Sequence, residues 1–295
     1  MKKFVGISII AIFLLALVLV VSGCTTPTPT PAVNATPVAN VTVAPTVAPV
    51  TGIPHTAVVD NKTYNFTTIE KDTLQVATDA SYAPFENINT TTNKIEGFDV
   101  DLLDQIGKEL NVTPVYTNQL FDGIILSVQT KKFDTSISAF TIKPERQQSI
   151  DFTDPYYENK GQAIATKPNS TIKSPADLVG HKVAVQAGTA GQDAVRNLTG
   201  VKEDDIKTYA TMPDAMLALK KGEVDAAAGD YAVMAPYVKS YPGDYQFAPK
   251  FLSETEYFGI IVNKDNKDLT AAMNAALAKI KADGRYQQIF DKWFA

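Results

Sequence analysis

The feature that most restricts this chain is where its charges lie. Lys2 and Lys3 stand at the start, and no further Asp, Glu, Lys or Arg occurs until Asp60. Between them, Phe4 to Val21 is an unbroken apolar to weakly polar run, FVGISIIAIFLLALVLVV, closed by Ser22-Gly23-Cys24. A short basic start, an apolar stretch and small residues at its exit make a secretory signal. The run is also nearly long enough to span a bilayer uncleaved. Either route leaves the charged remainder at the outer face of the cell membrane, extracellular or periplasmic. Removing residues 1–23 takes both early cations away, so the mature chain is two units more acidic than the −5 of the whole sequence.

Val21-Ser22-Gly23-Cys24 resembles a lipoprotein lipobox, in which the cysteine becomes the lipidated first residue; Cys24 is the expected lipid anchor. It is also the only cysteine, which excludes a disulfide framework and any multi-cysteine zinc site. Residues 24–59 are then expected to be a disordered stalk rich in Thr and Pro. Prolines at 27, 29, 31, 37, 45, 49 and 54 block helix and central-strand pairing, and roughly 30 such residues reach on the order of 90 Å. Asn-X-Thr/Ser sequons at Asn34, Asn40, Asn61, Asn65, Asn89, Asn111, Asn169 and Asn197 suit a glycosylated surface protein, or simply a chain rich in Asn and Thr. His55 in the stalk and His181 in a loop are expected to be solvated, leaving no histidine for catalysis. A mildly acidic balance gives no footprint for nucleic-acid binding.

From about Thr73 onward the pattern changes to short apolar runs alternating with helical stretches. LQVAT (74–78), PVYT (114–117), FDTSIS (133–138), QAIAT (162–166), KVAVQ (182–186), VDAAA (224–228) and YFGIIVN (257–263) read as strands. Asp99 to Leu110 reads as an amphipathic helix, with Val100, Leu103, Ile106 and Leu110 on one face. Alternating strands and helices predict parallel sheets covered on both faces. Two such series imply two lobes.

TDASYAPFE (78–86) places an acid, an aromatic and a Pro-Phe turn at the carboxyl end of the first strand, the edge where open α/β sheets bind ligands. With Gly97-Phe98-Asp99-Val100-Asp101-Leu102, ISAFTIKPERQQSIDFTDPYY (137–157), DAAAGD (225–230) and GRYQQIFDKWF (284–294), it forms five separated motifs in order. These motifs resemble those of the family 3 extracellular solute-binding proteins, the polar amino-acid receptors of ABC importers. The resemblance spans about residues 70–295. It implies a two-lobed α/β periplasmic-binding-protein fold, a Venus flytrap with each lobe a sheet flanked by helices. Residues 60–158 plus 259–295 would make lobe one and 159–258 lobe two, joined by a two-segment hinge near 158–161 and 257–259.

An amino-acid receptor needs a fork of donors for the carboxylate, an acid for the ammonium and a pocket for the side chain. Arg146 has the planar fork, and the resemblance gives it the carboxylate. Asp230 ends the AAAGD strand, where an acid needs a partner; the resemblance assigns it to the α-ammonium, while its position alone also suits a helix N-cap. By the same resemblance Ser138, Ala139 and Thr141 lie beside the carboxylate, and Tyr82 and Phe121 sandwich the ligand side chain. Gly188-Thr189-Ala190-Gly191 places backbone N–H groups at a helix start, a natural carboxylate site. Asp79 is expected at the side-chain end, where an acid favours a cationic or amide-bearing ligand. Gln186 stands where some glutamine-binding relatives carry a lysine, and Gly229 where others carry a bulky polar residue; both departures weigh against glutamine. The expected ligand is a basic amino acid, Arg, Lys or His, with cation–π support from the aromatics.

The expected function is a non-enzymatic receptor, without cofactor or metal. It would act as a monomer that closes on its ligand and delivers it to an ABC permease with its ATPase subunit. Two alternatives remain at this level. A dehydratase-like enzyme would use Asp79 and Asp230 as acid and base on a small carboxylate. A sensor-type amino-acid domain would need an effector, and none follows Trp293 before Ala295.

Overall fold

The computed structural model describes residues 52–295. The signal at 1–23, the lipidation position Cys24, the sequons at Asn34 and Asn40 and the stalk as far as Thr51 lie outside the described residues. Among those described, no helix is long and apolar enough to cross a membrane.

The described chain opens on a hairpin of β1 (Ile53–Val59) and β2 (Lys62–Thr68). This corrects the stalk boundary: composition put residues 53–59 in the disordered spacer, yet they pair with β2 in full register, from Ile53↔Thr68 to Val59↔Lys62. Asp60 and Asn61 both take positive φ, 47° and 62°, the backbone of a type I′ turn. Alternation buries Ala57, Val59, Phe66 and Thr68 against helices that come later in the chain. His55 is not solvated either. Its side chain is 8% exposed, and Nε2 donates to the Leu110 carbonyl at 3.0 Å.

Strand β3 (Thr73–Thr78) leads to a small sheet of β4 (Ser81–Tyr82), β5 (Glu86–Ile88) and β6 (Ile95–Glu96). Helix α1 (Phe98–Leu110) follows directly. Gly97 before it has φ 150°, and a Cβ there would collide with the Phe85 carbonyl, so only glycine allows the helix to start against β5. Then come β7 (Thr113–Asn118), α2 (Ile124–Gln129), β8 (Thr135–Ser136), the short α3 (Pro144–Gln147), β9 (Asp151–Phe152) and β10 (Tyr157–Asn159). A second series runs β11 (Gln162–Thr166), β12 (Val183–Gln186), α4 (Ala190–Arg196), β13 (Ile206–Tyr209), α5 (Met212–Lys221), β14 (Ala226–Asp230), α6 (Tyr231–Ser240), β15 (Gln246–Phe247) and β16 (Glu256–Phe258). The chain closes with β17 (Ile261–Val262), α7 (Lys267–Ala282) and α8 (Arg285–Phe294).

Two five-stranded sheets result, ordered β7-β3-β8-β17-β9 and β13-β12-β14-β11-β15. Each is flanked by helices, so the molecule has two α/β lobes. The sheets are mixed, not wholly parallel as alternation predicted. In the first, β17 runs antiparallel to β8 and β9; in the second, β11 runs antiparallel to β14 and β15. The physical reason is the crossing between lobes: β11 enters its sheet, and β17 its own, from the connecting ladder rather than from a covering helix. That ladder is β10 against β16, with Tyr157↔Phe258, Glu158↔Tyr257 and Asn159↔Glu256. It also explains why the apolar run 257–263 splits at Gly259-Ile260: its two halves pair with different partners.

Candidate functional site

The parallel strands of both sheets present their carboxyl ends to one shared cleft. Asp79 follows β3, and Ser138, Ala139 and Thr141 follow β8. From the second lobe, Gln186 ends β12 and Asp230 ends β14. All are buried, as are Tyr82, Phe121, Arg146, Thr189 and Ala190. Folding therefore brings every residue singled out from the sequence for ligand contact to the same place.

Direct bonds join the two sides. Tyr82 Oη donates to Asp230 Oδ2 at 2.8 Å, and Gln186 Nε2 donates to Asp79 Oδ2 at 2.6 Å. Arg146 Nη2 donates to the Gly188 carbonyl at 3.0 Å, while its Nη1 donates to the Thr141 carbonyl at 3.0 Å. Farther out, Lys143 Nζ lies 2.8 Å from Asp193 Oδ2. Arg146 also lies over two aromatic rings, its Cζ 5.5 Å from the Phe121 centroid and 5.6 Å from Phe140. The Tyr82 and Phe121 rings are 6.5 Å apart and 18° from parallel.

Burial dominates the electrostatics. It pushes the Asp230 carboxyl up to about 6, against opposing hydrogen bonds from Tyr82 and Gln162. Asp79 is raised for the same reason, partly offset by bonds from the Ser81 hydroxyl, Gln186 and the backbone N–H groups of Phe121 and Ser81. The Tyr82 phenol is raised well above its usual value by burial and by the Asp230 charge. Burial lowers Arg146, and the Asp230 charge opposes that. Asp230 is the residue before α6, yet its side chain makes no capping bond. Its Oδ1 takes Asn159 Nδ2 at 2.9 Å and Gln162 Nε2 at 2.7 Å instead, so its carboxylate belongs to the cleft.

Several residues support the site from below. Thr189 is the N-cap of α4, accepting from the Gln192 N–H at 3.2 Å, and its hydroxyl donates to the Gln186 carbonyl at 2.8 Å. The Ser138 hydroxyl, offered to the ligand by resemblance, is committed to the protein. It donates to Glu86 Oε1 at 2.6 Å and accepts from the Asp79 N–H at 3.0 Å. The Ala139 N–H donates to Asp99 Oδ2 at 3.0 Å. Glu86, Asp99, Asn159 and Gln162 were missed in the sequence. The signal for the last was present: a glutamine opening the otherwise apolar strand QAIAT needs a buried partner. Among the described residues, no group of three or more His, Cys, Asp or Glu side chains is placed for a metal ion.

The bacterial extracellular solute-binding proteins, family 3, match residues 74–295 of this sequence. The chain is 37% identical over 237 residues to ABC transporter arginine-binding protein 1 of Escherichia coli K12, which covers 78% of this chain and 94% of that protein. It is 34% identical over 225 residues to a probable histidine-binding protein of Neisseria gonorrhoeae, covering 75% and 82% respectively. Among solved structures, the arginine-, lysine-, histidine-binding protein ArtJ of Geobacillus stearothermophilus is similar with a TM-score of 0.70 and 39% identity, over 75% of this chain and 95% of its own. The β1–β2 hairpin precedes the matched region; everything after it, cleft included, falls within or at its edge. The chain belongs to the family 3 extracellular solute-binding proteins.

Proposed function

We propose that this chain is the extracytoplasmic receptor of an ABC importer, capturing a basic amino acid, arginine foremost, and delivering it to the permease and its ATPase subunit. The observation that carries this reading is the charge balance at the strand ends: one buried guanidinium, Arg146, against two buried acids, Asp79 and Asp230. A neutral amino acid brings one charge of each sign and leaves an acid unpaired, which is costly in a buried site. A basic amino acid brings a second cation, and every charge finds a partner. The arginine- and histidine-binding relatives support the same class.

In this reading Arg146 grips the carboxylate, helped by Thr141 and the N–H groups around Thr189 and Ala190, while Asp230 holds the ammonium. Tyr82 and Phe121 flank the side chain. A flat group needs about 3.5 Å to each neighbouring face, or about 7 Å in all, close to the observed ring separation. Asp79 meets the side-chain cation. Gln186 Oε1 is buried without a donor from the protein, and a guanidinium has N–H groups to spare for it, which favours arginine over lysine. The β10–β16 ladder is the proposed hinge between lobe one (60–158 plus 259–295) and lobe two (159–258). A ligand touching both lobes shifts the population toward closure, because only closure satisfies both its ends. Lipidation at Cys24 would tether the monomer to the membrane, as its lipobox sequence supports.

Calorimetric titration against the twenty amino acids tests the reading. Binding confined to Arg, Lys and His is expected; binding of only acidic or apolar amino acids overturns it.

A further inference from the structure

Beneath the cleft lies a pair of acids that ligand contact does not use. Glu86, at the start of β5, and Asp99, in the first turn of α1, are both fully buried. Their carboxyl groups lie within hydrogen-bonding reach of each other. Glu86 Oε1 accepts from Ser138, and Asp99 Oδ2 accepts from the Ala139 N–H and, at 2.7 Å, from Tyr156 Oη. The two remaining oxygens, Glu86 Oε2 and Asp99 Oδ1, are buried with no donor. The titratable groups facing the pair are Asp79, Tyr82, Tyr116, Tyr156, Tyr157 and Tyr286. None is a cation, so nothing compensates two adjacent negative charges.

We infer that Glu86 and Asp99 share one proton, carried on Glu86 Oε2 and donated to Asp99 Oδ1, and that the pair is a positioning device for the loop 137–141. This single proton satisfies both orphaned oxygens. It also fixes direction along the chain of bonds. The Asp79 N–H points at Ser138 Oγ, so the Ser138 proton must go to Glu86 Oε1, which must then be the bare acceptor oxygen. Burial and the Asp99 charge push Glu86 well above the usual carboxylate range, consistent with its being the protonated partner. The loop needs such a hold: Ala139 sits at φ 45°, a left-handed conformation that costs free energy for a residue with a side chain. Its N–H is held there by the ionised Asp99, and Ser138 ties the same loop to the backbone of Asp79. The effect on ligand affinity rests on the function proposed above; the shared proton and the held loop do not.

Two variants separate the cases. Glu86→Gln keeps an acceptor for Ser138 and a donor for Asp99 without a titrating proton, whereas Glu86→Ala removes both. Infrared spectroscopy near neutral pH is expected to show a buried protonated-carboxyl band in the native protein that E86Q loses. Amide hydrogen exchange over 137–141 is expected to speed up at least tenfold in E86A and to return within about threefold of native in E86Q, with arginine affinity following the same pattern. Absence of the native infrared band, or failure of E86Q to keep the loop protected, overturns the inference. Should E86A not fold, the comparison of E86Q with the native protein still decides. Should no basic amino acid bind, the proposed function fails while the infrared and exchange results stand on their own.

Discussion

Tyr82 donates a 2.8 Å hydrogen bond to Asp230 across the cleft, from the small sheet of the first lobe to the end of β14 in the second. A hydrogen bond to a charged group contributes roughly 1.5–3 kcal/mol. Tyr82→Phe removes it while keeping the ring that faces Phe121. Arginine affinity is expected to fall about tenfold, measured by calorimetry, with little change in which amino acids bind. An unchanged affinity would show that the hydroxyl plays no part in the liganded state.

Asp79 sets the charge count of the pocket. Asp79→Asn leaves Arg146 against Asp230 alone, which matches a neutral amino acid better than a basic one. Affinity for arginine is expected to drop roughly 10–100-fold, the size of one lost charge-assisted bond. Glutamine affinity should hold or rise. Competition between the two ligands measures the narrowing directly.

Arg146 offers geometry as well as charge. Arg146→Lys keeps the cation but loses the fork, the bonds to the Thr141 and Gly188 carbonyls, and the guanidinium's contact with the Phe121 and Phe140 rings. Losing two bonds of about 1.5 kcal/mol each weakens binding roughly 100-fold. A near-native R146K would mean that a point charge suffices.

The raised Asp230 carboxyl makes binding depend on pH. Its folded value of about 6 lies above an unfolded value of about 3.9. Its contribution to the stability of the free protein is therefore full below about 3.9 and is lost as pH rises through about 6. The ligand's ammonium needs the carboxylate, so below about 6 binding must expel a proton. Arginine affinity is expected to be flat near neutrality and to fall up to tenfold per pH unit below about 6. Asp79, raised in the same direction, steepens the fall. Thermal shift by arginine, measured across this range, should shrink along the same curve, and a flat profile would refute the assignment.

Much of this arrangement was legible in the sequence because it depends on local patterns. The 3.6-residue spacing of α1, the apolar runs of β11 and β12, and the acids at strand ends all follow from which side chains a strand or helix must bury. Strand direction was not legible, since β11 and β17 take theirs from a ladder formed by segments a hundred residues apart. Nor was the role of Ser138 or Asp99. An Asp in a helix's first turn reads as a dipole partner, and only the fold reveals that it faces Glu86 instead. The hairpin was hidden by composition: prolines and threonines outweighed a weak alternation and the Asp60-Asn61 turn.

That hairpin yields the last expectation. Phe66 is 3% exposed and packs with Ala57 and Val59 in the same core as α1 and α7, while the His55 ring lies against it, tilted by 42° at a centroid distance of 5.0 Å. Phe-to-Ala changes in cores cost about 3–5 kcal/mol. Here the hairpin is two-stranded and peripheral, and such ribbons are only marginally stable without packing, so Phe66→Ala should detach it rather than unfold the lobes. A loss near the lower end, about 3 kcal/mol, is expected in denaturant titration, together with faster amide exchange confined to 53–68. Arginine affinity should stay native, because β1 and β2 supply nothing to the cleft. If affinity fell along with stability, the hairpin would be coupled to the site through α1, whose other end carries Asp99.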